Sequence, residues 1–289
     1  KYKPDFERAK IYWEAFWNKE ILDRPCLFIT APVDERDPPQ WPAFMDGIDG
    51  KYIEALNAYE IIAAKTYFAA EAFPRFEICF GPDQFSAFIG ATLKVAEDKG
   101  TAWVEPFVKD WEAVIGKIKL KKEKDSVWNK LLEFYKVAAE FSKDKFLIEM
   151  PDMHSNMDCL SAIRGPENLC MDLLDCPDKI EMVLKEVRQL YVPVSETVFS
   201  AGKMNENGAT SWIPSYHNGK HNVIQCDFLA LIGPEQAREF VIPVLEEEAA
   251  SVDARSGRTH LPRLRDVQDG RRELLPRRSS RRRLAEEVS

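Results

Sequence analysis

Short apolar runs alternate with longer amphipathic stretches along the first 250 residues, and this alternation restricts the fold more than any other feature. CLFIT (26–30), FEICF (76–80), FLIEM, TSWIP (210–214) and NVIQC (222–226) have the length and the β-branched or aromatic content of strands. Shorter extended pieces are expected at 91–96 and 102–106. Residues 4–20, 51–72, 126–142, 166–174 and 177–200 carry apolar residues at helical spacing, as in the stripe Phe6, Ile11, Trp13, Phe16 and Trp17. Residues 222–250 repeat the pattern as one unit. Val223 and Ile224 lead to Asp227, Gly233 breaks the chain, Pro234 opens a helix, and Ala237, Phe240, Val241, Val244 and Leu245 form its apolar face. Strands that alternate with helices predict an α/β fold with parallel strands.

In such folds the loops beyond the C-terminal strand ends form the active-site mouth. Three places there carry chemistry. Asp83 follows FEICF, and reads either as an acid that holds a cation or takes a proton, or as a helix cap. After FLIEM come Asp152, His154 and Asn156; His154 reads as a general acid/base or ligand, or as a loop histidine satisfied by backbone. Asp227 ends NVIQC, as a pocket carboxylate or a loop cap. Its neighbour Cys226 would point to the opposite face of a strand, so only one of the two faces inward. Trp212, Tyr216 and His217 on the preceding loop read as a pocket wall. His217 and His221 lie four apart, yet Gly219 argues against a helix that offers both to one metal. The expected catalytic residues are therefore Asp227, Asp83 and His154. Trp212, Tyr216, His217, Asp152, Asn156 and Cys226 are expected to bind substrate, and no metal ligand is assigned.

Composition narrows the function. The net charge of −8 argues against general nucleic-acid binding. The six cysteines form no CxxC pair and mostly sit in apolar stretches, which fits a reducing cytoplasm. No apolar run is long enough to span a membrane. GxGxxG, P-loop, HExxH and GxSxG motifs are absent, which leaves phosphate-cradling and serine-hydrolase readings without support. From residue 251 the chain has 11 Arg and no Lys, against 7 Arg and 22 Lys before it, and no aromatic residue, Met or Cys. This switch divides the chain into a domain over 1–252 and an atypical, Arg-rich tail over 253–289. Out-of-frame translation of GC-rich DNA would produce such a tail, and a second reading frame near codon 250 encoding an apolar continuation would bear that out.

CDFLALIGPEQAREFVIPVLEEEAA, with Asp227, Gly233-Pro234-Glu235, Phe240 and Pro243, resembles the uroporphyrinogen decarboxylase superfamily, which includes corrinoid-dependent methyltransferases. LSAIRGPENLCMDLLDCPDKIEMVL (160–184), Arg24-Pro25 before CLFIT, and FGPDQFSAFIGA (80–91) are similar to the same family, so the resemblance covers about 1–252. It implies a (β/α)8 TIM barrel, incomplete at its C-terminus. It also implies a cytoplasmic methyltransferase that moves a methyl group between a small methylated compound and a corrinoid or thiol acceptor. Zinc and a corrinoid are the implied cofactors, with a small-molecule substrate, a corrinoid protein and further copies of the chain as implied partners, and neither nucleic acid nor membrane among them. A carboxy-lyase acting on a tetrapyrrole is the alternative, and a non-catalytic or inactive truncated product a third reading. In the decarboxylases an arginine-rich segment after the first strand grips the substrate's carboxylates. Here that stretch is APVDERDPPQWP (31–42), where Arg36 stands alone among acids.

Overall fold

A computed structural model describes residues 1–40, 46–96 and 100–253; the expected tail from 254 to 289 lies outside the described residues. The elements run α1 (Phe6–Asn18), β1 (Phe28–Pro32), α2 (Tyr52–Lys65), β2 (Thr66–Ala70), β3 (Arg75–Phe76), α3 (Gln84–Phe88), β4 (Leu93–Val95) and β5 (Ala102–Val104). Then follow α4 (Val127–Phe141), β6 (Leu147–Met150), α5 (Asn156–Arg164), α6 (Pro166–Asp175), α7 (Pro177–Ala201), α8 (Met204–Asn207) and β7 (Thr210–Ser211). After a 3-10 turn over Asp227–Leu231 the last described elements are α9 (Pro234–Gln236) and α10 (Ile242–Ala250), joined by a π-helical turn over Ala237–Val241. Pro243, near the start of α10, has no N–H to return to the turn before it, which fits the wide turn there.

The expectation of a mixed α/β fold with parallel strands holds in its outline. β3, β6 and β7 form a parallel sheet with β6 in the centre. Phe76 lies opposite Ile148, and Glu149 opposite Thr210. Helices α2, α4 and α7 share one apolar core with this sheet: Leu56, Tyr59, Leu131, Tyr135, Val187 and Tyr191 are buried in the same cluster as Ile78, Ile148 and Met150. The Tyr135 hydroxyl donates to the Glu149 carbonyl at 2.8 Å, so α4 is tied to the central strand by a hydrogen bond as well as by packing. Arg164, at the end of α5, donates to both carboxylate oxygens of Asp172 on α6 at 2.6 and 3.1 Å, and Trp111 Nε1 donates to the same group. This pair closes the arginine-glycine turn. Removal of one partner of such a mostly buried pair leaves the other unsatisfied, so Arg164→Ala should cost about 2–4 kcal/mol, measured by denaturant unfolding.

Three expectations change. CLFIT is not a buried strand: β1 is largely exposed and pairs antiparallel with β2, Phe28 opposite Ala70. The helix expected over 51–72 stops at Lys65, because Thr66-Tyr67-Phe68 favour extended backbone and Thr66 turns its hydroxyl back onto the Ile62 carbonyl. NVIQC runs without a strand ladder up to the 3-10 turn that begins at Asp227. Among the described residues the sheets are small, two of the three are antiparallel pairs, and none closes into a barrel. No described helix is long and apolar enough to cross a membrane.

Candidate functional site

Loops beyond the C-terminal ends of β3 and β6 meet the 226–231 turn and enclose a cleft of about 490 Å³. Asp83, His154, Asp158 and Asp227 are its titratable lining groups; Val104, Pro106, Ala162, Phe228 and Leu231 supply apolar walls. Three segments expected to carry chemistry therefore converge, and the expected catalytic trio of Asp83, His154 and Asp227 shares one cavity.

Each side chain has a local cause for its position. Gly81 adopts φ +95°, and a Cβ there would lie 2.9 Å from both the Cβ and the carbonyl oxygen of Ala102. The bare backbone lets the turn press against β5, where Asp83 Oδ2 accepts the Val104 N–H at 3.1 Å. Burial is the main cause that raises the Asp83 pKa, and the Val104 bond works against it. Gly81→Ala should cost about 1–3 kcal/mol from the strained φ alone, read as a shift in urea midpoint, and should displace Asp83. Gln84, fully buried, accepts from Phe80 N at 3.0 Å and donates to the Asp152 carbonyl at 2.7 Å, so it ties the β3 loop to the β6 loop.

His154 is held from both sides. Its Nε2 lies 2.9 Å from Asp152 Oδ2 and its Nδ1 3.4 Å from Asp158 Oδ2. Burial alone would lower its pKa, but the bonds to Asp152 and then Asp158 outweigh it and carry the value to about 10. The two carboxylates thus favour the imidazolium form of His154, and with Gln225 Nε2 also 2.9 Å from its Nε2 both ring nitrogens are engaged. Gln225 Nε2 donates to Asp152 Oδ1 at 3.1 Å and fixes the outer carboxylate.

Asp158 was not among the residues expected to form the site. Its two oxygens accept the backbone N–H groups of Asp227 at 2.9 Å and Phe228 at 2.7 Å, which pins the 3-10 turn to the first turn of α5. The Cys226 thiol lies 3.6 Å from Asp158 Oδ1, and burial raises its pKa well above the ordinary range. Asp227 itself is exposed at the cleft rim, with no side-chain hydrogen bond or ion pair among the described residues.

The remaining expected residues do not line the cleft. Asn156 is buried at φ +51°, which Asn tolerates better than most residues; it donates to the Gln225 carbonyl at 3.2 Å and to Glu248. Ser155 also donates to Glu248, at 2.5 Å. The pocket wall expected from Trp212, Tyr216 and His217 lies elsewhere, because the loop after β7 doubles back and His217 pairs with Ala209 through both backbone groups. Tyr216 packs on Phe6 and Phe73, and its carbonyl accepts from Trp17 Nε1. Trp212 stands 37% exposed. His221 is buried, which takes its pKa to about 3 and keeps it neutral.

Among the described residues no group of three or more His, Cys, Asp or Glu is arranged to hold a metal ion. The donors present here therefore do not fit a zinc site.

A mixed α/β chain whose titratable groups gather beyond parallel-strand ends is the arrangement of many small-molecule enzymes. No protein-family model matches the chain, and no curated protein matches it. A methyltransferase from Methanosarcina mazei is similar in structure, with a TM-score of 0.52 and 15% identity over 85% of this chain and 67% of that one. At that identity the likeness concerns the fold.

Proposed function

We propose that the chain is a methyltransferase of small molecules, built on an incomplete barrel of the uroporphyrinogen decarboxylase type, with the cleft at Asp83, His154, Asp158 and Asp227 as its site. The convergence of three separate loops on one cavity carries this reading, and the fold shared with a methyltransferase supports it. In methyl transfer the bond from the methyl carbon to the acceptor forms as the bond to the donor atom breaks, and the electron pair leaves with the donor. Alignment of the two reactants is the main demand, which a walled cleft on rigid loops can meet. The apolar walls would exclude water from the methyl group; Asp83 and Asp227 would orient the donor. The acceptor would be a thiolate or a reduced corrinoid, either of which brings the electron pair that bonds the methyl group.

A tetrapyrrole carboxy-lyase finds less support. A polyanionic substrate needs several cations, and the cleft has no Lys or Arg among its described lining residues.

The test is methyl transfer from isotopically labelled methyl donors to a low-molecular-weight thiol or to cob(I)alamin kept reduced under anaerobic conditions, followed by mass spectrometry. The Asp83→Asn/Asp227→Asn double variant should lose at least about tenfold in kcat/KM, a transition-state loss near 1.4 kcal/mol, while it keeps its melting temperature. Unchanged transfer in that variant would place the chemistry outside the cleft. Coproporphyrin formation from uroporphyrinogen would replace the reading altogether.

A further inference from the structure

A count of charge around the cleft shows which kind of molecule it suits. Among the described residues His154 is the one basic side chain in the lining, and Asp152 and Asp158 compensate it from either side. Asp158 spends its remaining capacity on the backbone of Asp227 and Phe228. That leaves two carboxylates with acceptor capacity toward the cavity. Asp83 uses only Oδ2 on Val104 N, and Asp227 has no side-chain partner among the described residues. Their negative charge faces a cavity with no Lys or Arg among its described lining residues, between walls formed by Val104, Phe228 and Leu231. A cation is drawn to such a cleft and an anion is repelled. The apolar walls select further: a compact, heavily hydrated ammonium gains nothing from them, whereas a methylated one buries its methyl groups there and can meet the Phe228 ring.

The available protons point the same way. A methoxy donor would leave as an alkoxide and need an acid at once, but both ring nitrogens of His154 are already engaged by carboxylates. A quaternary ammonium leaves as a neutral amine and needs no proton.

We infer that the cleft binds a small methylated ammonium cation, with its charge between Asp83 and Asp227 and its methyl groups against Val104, Phe228 and Leu231. This inference rests on the cleft being the functional site. Choline and its uncharged tert-butyl isostere separate the two claims, since they share a shape and differ in charge. Titration of the full chain, followed by backbone amide shifts of Val104 and Phe228 and by calorimetry at low ionic strength, should show choline about tenfold tighter than the isostere. Asp83→Asn and Asp227→Asn should each weaken choline about three- to tenfold and leave the isostere unchanged. Equal affinity for the two probes, or tighter binding of acetate than of choline, overturns the cation while the cleft stands as a site. No response at Val104 and Phe228 to either probe overturns the cleft itself, and the cation with it.

Discussion

Asp158→Ala should destabilise the protein by about 3–5 kcal/mol, the largest loss expected from any single change near the cleft. The aspartate carries several partners at once: two backbone N–H groups of the 227–231 turn and one side of the His154 imidazolium. Its removal orphans buried donors and leaves a buried cation with one carboxylate in place of two. Asp158→Asn keeps an acceptor for the turn and loses only the charge, so about 1–2 kcal/mol is expected. The pair of variants separates the two roles. In Asp158→Asn the His154 titration should move down from about 10 toward the ordinary histidine range, visible in the ring C–H resonances. If the alanine variant unfolds at the same denaturant midpoint as the parent, the aspartate is not the anchor of the turn.

The asymmetry between fold and site in the sequence has physical causes. Helices α4, α6 and α7 were legible because each repeats buried residues at helical spacing and begins with a local signal: Ser126 accepting from Asn129, and Pro166 or Pro177 in a first turn. The β1–β2 pair was misread because CLFIT is as apolar as a buried strand, and only its partner, hidden at the end of an apparent helix, shows that it lies on the surface. Asp83, His154 and Asp227 each follow a strand-like run in the sequence, and the structure places all three on one cleft. Asp158 was missed, although Ser155-Asn156-Met157-Asp158 has the spacing of a capping box. In the structure that box is not formed. Ser155 donates to Glu248 and Asp158 caps a turn about seventy residues away in sequence, and neither tertiary bond leaves a local trace. Tyr216 and His217 were assigned to the pocket by nearness in sequence to Asp227. The backbone pairing of His217 with Ala209, which sends the loop the other way, has no sequence signature.

Stability should fall as pH rises from about 5.5 to 8.5, and Arg75→Met should steepen the fall. Continuing the ladder from Phe76 places Glu77 beside Glu149, and Arg75 from the same strand donates to Glu149 and to the Ser211 carbonyl. Burial first raises Glu77 to about 7 and Glu149 to about 8, against the pull of Arg75; repulsion from Asp152 adds to the rise at Glu77, and repulsion from Glu77 to that at Glu149. Glu248 is likewise raised by burial to about 8, despite its bonds from Ser155 and Asn156. Between 4.5 and these values the folded chain holds protons that the unfolded chain has released, so stability decreases with pH across that window. His154 acts in the same direction, since its raised pKa gives stability that is complete below about 6.5 and lost toward 10. Glu60, lowered to about 2 mainly by its bond from Lys1, opposes them only in strong acid. Removal of Arg75 leaves a buried carboxyl that can no longer ionise without penalty, although the unfolded chain still ionises freely. The cost of Arg75→Met should therefore be about 1–2 kcal/mol near pH 5.5, where a hydrogen-bond donor is lost, and about 1 kcal/mol more near pH 8.5, where the parent's Glu149 ionises and the variant's does not. Thermal melts of parent and variant at the two pH values check this, at about 2–4 °C for each kcal/mol in a chain near this size. A parent melting temperature that rises over the same interval, or a gap between the two proteins that stays constant, would show that Glu149 is already ionised below it.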